Sequence, residues 1–428
     1  MTADRKSILL LLAAIRVTLT QGSAAVTFTD ANWTSMGQPT ADGPVFAMVV
    51  DGWGNLYIGG YFTIVGNVFA TNIAKWNGSH WSALGSGVNS VVRALAVSGS
   101  DLYAGGRFTS ADGSAATNYI AKWNGSNWSA LGSGMNDEVR ALVVSGRDLY
   151  AGGEFATAGG VPANAVAKWD GTHWNALSSG FNQGVRALAV SGSDLYAGGN
   201  FTNAGGGAAN FIAKWDGSNW SALGSGMGGP GPVYALAVLG GDLYAGGLFS
   251  MAGGTPVSQI AKWNGSSWTA LGSGMDFWVD ALAVSGSDLY AGGNFTTAGG
   301  SQANSIAKWN GSSWSALGSG MNTEVFALAV SGSDLYAGGL FTTAGGKTST
   351  YLARAYLEKP ALSILRSGVT IQLSWPAFYE TYALQENPDA ENTNSWSSTA
   401  YPLTTNGATK SATIFIGTSN QFFRLRGN

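Results

Sequence analysis

Seven residues at one recurring position offer the most direct chemistry in this sequence. Each follows a Val that opens the pattern Val-x-Ala, and in chain order they are Phe46, Arg93, Arg140, Arg186, Tyr234, Asp280 and Phe326. Three consecutive arginines present planar, always charged donors that suit a carboxylate, sulfate or phosphate. Tyr234 and Asp280 add hydroxyl and acid groups, while Phe46 and Phe326 supply an apolar wall. The arginines can instead turn inward and meet Glu138 or other acids, which leaves less charge for a ligand.

A second variable position lies between Gly-Gly and Phe, occupied by Tyr61, Arg107, Glu154, Asn200, Leu248, Asn294 and Leu340. Phe69, Phe277 and Trp278 add further aromatic candidates. Tyr and Trp stack on sugar rings, and Asn, Asp and Arg bond hydroxyl or acidic groups, so the mixture suits a glycan. A protein partner would use many of the same residues. For catalysis, Glu154, Asp280 and Glu324 are the conceivable acid–base groups and Tyr234 a conceivable proton donor. Hydrolysis of a glycosidic bond needs two carboxylates at a defined separation, which the sequence does not establish.

Composition removes other classes. The 428 residues contain no Cys and two His, so disulfides, thiolate chemistry and Cys-based zinc sites are excluded. His80 and His173 precede Trp81 and Trp174 at equivalent positions and read as solvated turn residues. Formal net charge is -3 with no basic run, which argues against a nucleic-acid partner. The sequence calls for no cofactor. Calcium is conceivable near the repeated acids, but no dense oxygen-ligand loop is visible.

The elements that position these residues follow from a repeat. The motif Leu-Tyr-(Ala/Ile)-Gly-Gly-x-Phe occurs seven times, with Tyr57, Tyr103, Tyr150, Tyr196, Tyr244, Tyr290 and Tyr336 spaced 46, 47, 46, 48, 46 and 46 residues apart. That period holds four short strands and their turns, one propeller blade. In the second repeat the strands are expected at 92–97, 101–108, 120–123 and from Trp128, with a tight Asn124-Gly125 turn between the last two. The third-to-fourth hairpin carries a Trp on each arm, as in Trp123 and Trp128. A buried Trp contributes roughly 5 kcal/mol of gross apolar transfer, so its repetition favours packing between sheets over a sugar-binding row. Asp101, Asp148, Asp194, Asp242, Asp288 and Asp334 precede Leu-Tyr, and they suit pairing with the repeated lysines of Ala-Lys-Trp.

The seventh repeat lacks its fourth strand. Its third strand reads Tyr351-Leu352-Ala353-Arg354-Ala355, and no partner Trp follows. Near the other end, Asn32-Trp33-Thr34-Ser35-Met36-Gly37 matches the fourth-strand segment Trp81-Ser82-Ala83-Leu84-Gly85. The N-terminal strand is therefore expected to complete the last blade and protect its edge. In this strand order the second-to-third and fourth-to-first connections emerge on one face. They vary between repeats, which makes that face the recognition surface.

Residues 1–25 have the parts of a signal peptide, with an apolar run from Ile8 to Ile15 followed by small residues, although Arg16 interrupts it. Nothing later is long and apolar enough to span a bilayer as a helix. Residues 26–358 form the propeller. Residues 359–428 read as a small fibronectin-like β-sandwich, with strands at 370–375, 382–386, 411–416 and 421–425 and a core seeded by Trp375, Tyr382, Phe422 and Phe423.

Leu-Tyr-Ala-Gly-Gly-x-Phe-Thr, Ile-Ala-Lys-Trp-Asn-Gly and Trp-Ser-Ala-Leu-Gly together resemble bacterial secreted propeller repeats, loosely similar to delta-60, kelch and fungal Rax2-type surface repeats. Ile371-Gln372-Leu373-Ser374-Trp375 and Asn420-Gln421-Phe422-Phe423-Arg424-Leu425 resemble C-terminal β-sandwiches of exported proteins from Verrucomicrobia-like bacteria. The resemblance implies a location outside the cell and carries no catalytic set. The expectation is an all-β chain, a seven-bladed β-propeller closed by an N-terminal strand and followed by a small β-sandwich. It would be a secreted or cell-surface protein that binds a glycan or anionic extracellular polymer without catalysis. The ligand would meet Arg93, Arg140, Arg186, Tyr234, Asp280, Trp278, Phe46 and Phe326; the alternative is a structural protein–protein scaffold.

Overall fold

The computed structural model describes residues 28–37, 40–113, 117–357, 363–367, 370–376, 382–387, 397–399, 401–406, 409–415 and 422–427. The expected signal segment 1–25 lies outside the described residues. Residues 28–357 make one compact unit, and the residues after Leu357 belong to another. Apart from one short 3-10 turn at Asp30–Asn32, the described elements are all β.

The larger unit is built of small antiparallel sheets that resemble propeller blades. In the second repeat the strands are Val92–Ser98, Asp101–Gly106, Ile120–Trp123 and Trp128–Ala130, hydrogen-bonded in that order. The expected strands match, except that the second one stops at Gly106. The other sheets open with Val45–Val50, Val139–Ser145, Val185–Ser191, Val233–Leu239, Val279–Ser285 and Val325–Ser331. These opening strands lie side by side in sequence order, and Val45–Val50 also packs against Val325–Ser331. Small two-stranded ribbons such as Thr157–Ala158 with Val161–Pro162 fill the second-to-third connections.

Close approach between neighbouring sheets explains the first glycine of each pair, and close approach of the sheet's own opening strand the second, as at Gly106 against the Val91 carbonyl. A Cβ built on Gly105 would lie 2.5 Å from Val139 Cγ1 of the next sheet, and one on Gly338 would lie 2.7 Å from Val45 Cγ1. Ordinary carbon contacts need well over 3 Å, so only Gly lets the strands come this near. The same relation therefore joins the seventh sheet to the first.

Tryptophans supply the second link. Each fourth-strand indole donates to a carbonyl of the preceding sheet: Trp128 to Leu84 at 2.9 Å, Trp174 to Leu131 at 2.9 Å, and Trp220 to Leu177 at 3.1 Å. Trp268 donates to Leu223 at 3.0 Å and Trp314 to Leu271 at 2.9 Å. Trp33 donates to Leu317 at 3.0 Å, and Trp81 donates to Met36 at 3.1 Å. The strand Trp33–Thr34 pairs antiparallel with Leu352–Tyr356, placing Trp33 opposite Ala355. Trp33 is fully buried and its indole has a partner, as a buried N–H requires.

At the opposite strand ends, ion pairs fix the first-to-second turns. Lys122 meets Asp101 at 2.9 Å, Lys168 meets Asp148 at 3.1 Å, and Lys262 meets Asp242 at 2.9 Å. Arg354 replaces Lys in the seventh sheet and meets Asp334 at 2.7 Å. In the first sheet Asn55 stands in the acid's place, and Asp51 instead accepts from the Tyr57 hydroxyl at 3.3 Å.

The smaller unit contains a four-stranded sheet ordered Ser363–Ser367, Thr370–Pro376, Thr409–Phe415 and Leu403–Asn406. A second sheet orders Ser397–Ser398, Tyr382–Asn387 and Phe422–Gly427. Leu373, Trp375, Ala412 and Ile414 of one cluster with Leu384 and Phe423 of the other. The expected core residues Trp375 and Phe423 belong to this cluster; the Tyr382 and Phe422 side chains lie outside the described residues.

Candidate functional site

The chemistry-bearing position after each recurring Val coincides with a break in strand register. In the first hairpin of every one of the seven sheets the pairing shifts between the Val and the Ala two residues later, at Phe46, Arg93, Arg140, Arg186, Tyr234, Asp280 and Phe326. A bulge leaves one residue without an opposite number and re-aims its side chain. Here Val packs against the neighbouring sheet, Ala is buried, and the residue between them is half-buried.

All seven sheets contribute opening-strand residues to one cavity of about 200 Å³. Phe46, Arg93, Arg140, Arg186, Asp280 and Phe326 are in its wall. Tyr234 is outside the wall but lies beneath Arg186, whose guanidinium carbon is 5.4 Å from the ring centroid. Phe46 and Phe326 touch at 5.2 Å between centroids, and Arg93 lies 4.1 Å above the Phe46 ring. Trp278, expected to give shape, packs on Phe277 and donates its indole N–H to Glu324 Oε1 at 2.8 Å.

The arginines are not equivalent. Buried Glu138 receives Arg93 at 3.2 Å, Arg107 at 3.0 Å and Arg140 at 2.7 Å. Arg140 also meets Glu154 at 3.0 Å. Much of the expected anion-binding charge is therefore neutralised within the chain. Arg186 differs, because its Nε donates to the neutral Asn200 side chain. Among the described residues it has no carboxylate within ion-pair distance. Burial and then the positive charge of Arg140 hold its pKa below the usual arginine value. Arg93 is lowered too, first by burial, with Glu138 opposing that shift.

On the other side of Tyr234 stands Asp280. Its Oδ2 is buried and makes no hydrogen bond. Burial first, then the neighbouring Glu324 charge and a hydrogen bond shared with the Glu324 carboxylate push its carboxyl up to about 8, with Arg186 pulling the other way. Two close carboxylates in a poorly solvated place resist being charged together. Burial also raises the Tyr234 hydroxyl above its usual range. Glu154 sits on the arginine side and Glu324 on the Asp280 side, so the conceivable acid–base groups fall into two clusters.

Glu138 matters more than the sequence suggests, and the useful signal was the residue before the recurring Val. That position reads Pro44, Val91, Glu138, Gly184, Pro232, Trp278 and Glu324. Its two acids are the ones that hold the arginines and face Asp280.

Exposed apolar side chains collect at the same strand ends. Phe69 is 81% and Tyr61 62% exposed, and Phe277 and Leu340 are also exposed. His80 and His173 are exposed turn residues, as the sequence implies. Among the described residues no group of three or more His, Asp or Glu gathers to hold a metal ion, and no helix is long and apolar enough to cross a membrane.

No family model matches the chain, and no curated protein matches it. Among solved structures it is similar to the WD40 β-propeller domain of Doa1, at 14% identity and a TM-score of 0.50 over 74% of this chain and 94% of that one. A chain of the mitotic checkpoint complex is similar at 15% identity and a TM-score of 0.52, covering 83% of this chain and 100% of that one. The extracellular domain of a hybrid two-component system from B. thetaiotaomicron gives 10% identity and a TM-score of 0.53. That match covers 81% of this chain and 46% of the other. At such low identity the likeness concerns fold alone: an all-β architecture of propeller-like sheets.

Proposed function

We propose that this chain is a non-catalytic interaction scaffold of the cell exterior, a closed seven-bladed propeller that presents one face to a protein partner. The N-terminal strand finishes its seventh blade, and the small sandwich serves as an accessory module. The observation that carries the reading is the apolar group Phe277, Leu340, Tyr61 and Phe69. These residues belong to the adjoining sheets that open with Val279–Ser285, Val325–Ser331 and Val45–Val50. Exposed apolar side chains on adjoining sheets, near charged residues, suit a protein interface with a hydrophobic centre and a polar rim. The internal pairing of Arg93 and Arg140 weighs against an anionic polymer as the main ligand. A glycan remains the second reading, favoured by the exposed Tyr61 and by Arg186.

The test immobilises the full chain and a Tyr61→Asp/Phe69→Asp variant against a surface-protein extract of the source cells, with a glycan array run in parallel. A defined protein retained by the parent and lost with the variant supports the scaffold. A selective glycan hit abolished by Arg186→Ala, with no such protein, replaces it by the glycan reading.

A further inference from the structure

We propose that the cavity between the seven opening strands binds a small zwitterion, an α-amino acid in its simplest form. Its carboxylate would meet Arg186, its ammonium Asp280, and its apolar part Phe46 and Phe326. This site is separate from those exposed apolar side chains, and its occupancy does not depend on a protein partner.

The argument begins with which charges are spent. Arg93, Arg107 and Arg140 are held by Glu138 and Glu154, so drawing them onto a ligand would strand the buried Glu138 carboxylate. Arg186 is oriented by groups that leave its charge in place, the Asn200 amide oxygen and the Tyr234 ring. A guanidinium fixed by neutral partners is ready for a carboxylate at little further ordering cost.

Opposite charge stands two sheets away. Asp280 is in the cavity wall, its Oδ2 has no hydrogen-bond donor, and the nearby Trp278 indole donates to Glu324 instead. An ammonium can take the place of the proton that Asp280 shares with Glu324 and lie between the two carboxylates. A simple anion would meet Arg186 alone, and a simple cation Asp280 alone. A ligand bearing both charges answers both.

Size and lining agree. The cavity of about 200 Å³ is smaller than the ~300–1,000 Å³ of pockets for drug-sized ligands and matches a small molecule, although it is open on one side. Phe46 and Phe326 form the apolar part of the same wall.

The experiment is calorimetric titration of the full chain with each protein-forming L-α-amino acid. The tightest is then compared with its N-acetyl derivative, which keeps only the negative charge, and its amide, which keeps only the positive one. At least one amino acid should bind saturably, and both derivatives should bind at least tenfold more weakly. Asp280→Asn and Arg186→Gln should each weaken binding at least tenfold, with both variants still melting in one cooperative transition. Affinity should rise as pH increases towards 8, because the Asp280 carboxyl must lose its proton beside Glu324, Tyr234 and Arg186, and the Asn variant should lose that slope. If Arg186→Gln fails to fold, the two derivatives and Asp280→Asn decide. The absence of saturable heat from every amino acid up to ~10 mM overturns the proposal. Undiminished binding of either derivative also overturns it, since one charge would then suffice.

Discussion

The indole N–H of Trp33 donates to the Leu317 carbonyl at 3.0 Å, joining residues 284 positions apart. Its counterparts make the same bond to the preceding sheet across 43 to 45 positions. A single geometry is thus satisfied once by a segment from the far end of the unit.

Trp33→Ala should therefore cost about 3–5 kcal/mol, the range for emptying a large buried aromatic site. Trp53, 70% exposed, is the control: Trp53→Ala should stay within about 0.5 kcal/mol. Urea denaturation of both variants checks the contrast, and equal midpoints would show that the Trp33 segment adds nothing to the unit.

Gly338→Ala should destabilise by about 1–3 kcal/mol, because the new methyl would press on Val45. Combining it with Val45→Ala should recover part of that loss. A double-mutant cycle measures the coupling, and strict additivity would mean the two residues do not meet.

Glu138→Gln should release Arg93 and Arg107, with Arg140 still held by Glu154. Retention on immobilised heparin should move to higher salt, while stability falls by on the order of 2 kcal/mol; the exposure of Arg107 keeps the loss below that of a fully buried network. Unchanged retention would mean the guanidinium groups find other acids.

The Asp280 carboxyl rises from 3.8 to about 8 on folding. Between these values the folded chain holds a proton that the unfolded chain has lost, so this group makes stability fall as pH rises through that window. Asp280→Asn should be more stable than the parent near pH 8 and lose that advantage below about pH 4. Denaturation curves at both ends test the sign, and a constant difference would show that the carboxyl does not titrate in this range.

Much of this was readable in the residues. The Tyr-Gly-Gly repeat gave the sheets because Gly is needed wherever the next Val comes close, a demand renewed in every sheet. The stray Trp33 fragment was recognisable for the same reason. The candidate site was legible in identity and not in charge. Its residues follow the recurring Val, but their bulge is visible only once the strands are paired. Glu138 reaches three arginines drawn from two repeat positions and two repeats, a convergence through space that no spacing along the chain encodes. Arg186 and Arg140 look alike in sequence and differ because one meets Asn200 and the other two carboxylates.

The pairing of Trp33 with Ala355 also bears on the order in which the chain is made. The segment that edges the seventh sheet leaves the ribosome first, and its partner emerges after the other six sheets have been synthesised. Through that interval the nascent chain carries a strand with nothing to pair with, while similar third strands appear one after another as wrong partners. Moving residues 28–37 to follow residue 357 would let the last sheet be assembled from neighbours in synthesis, with the native contacts unchanged and the waiting period removed.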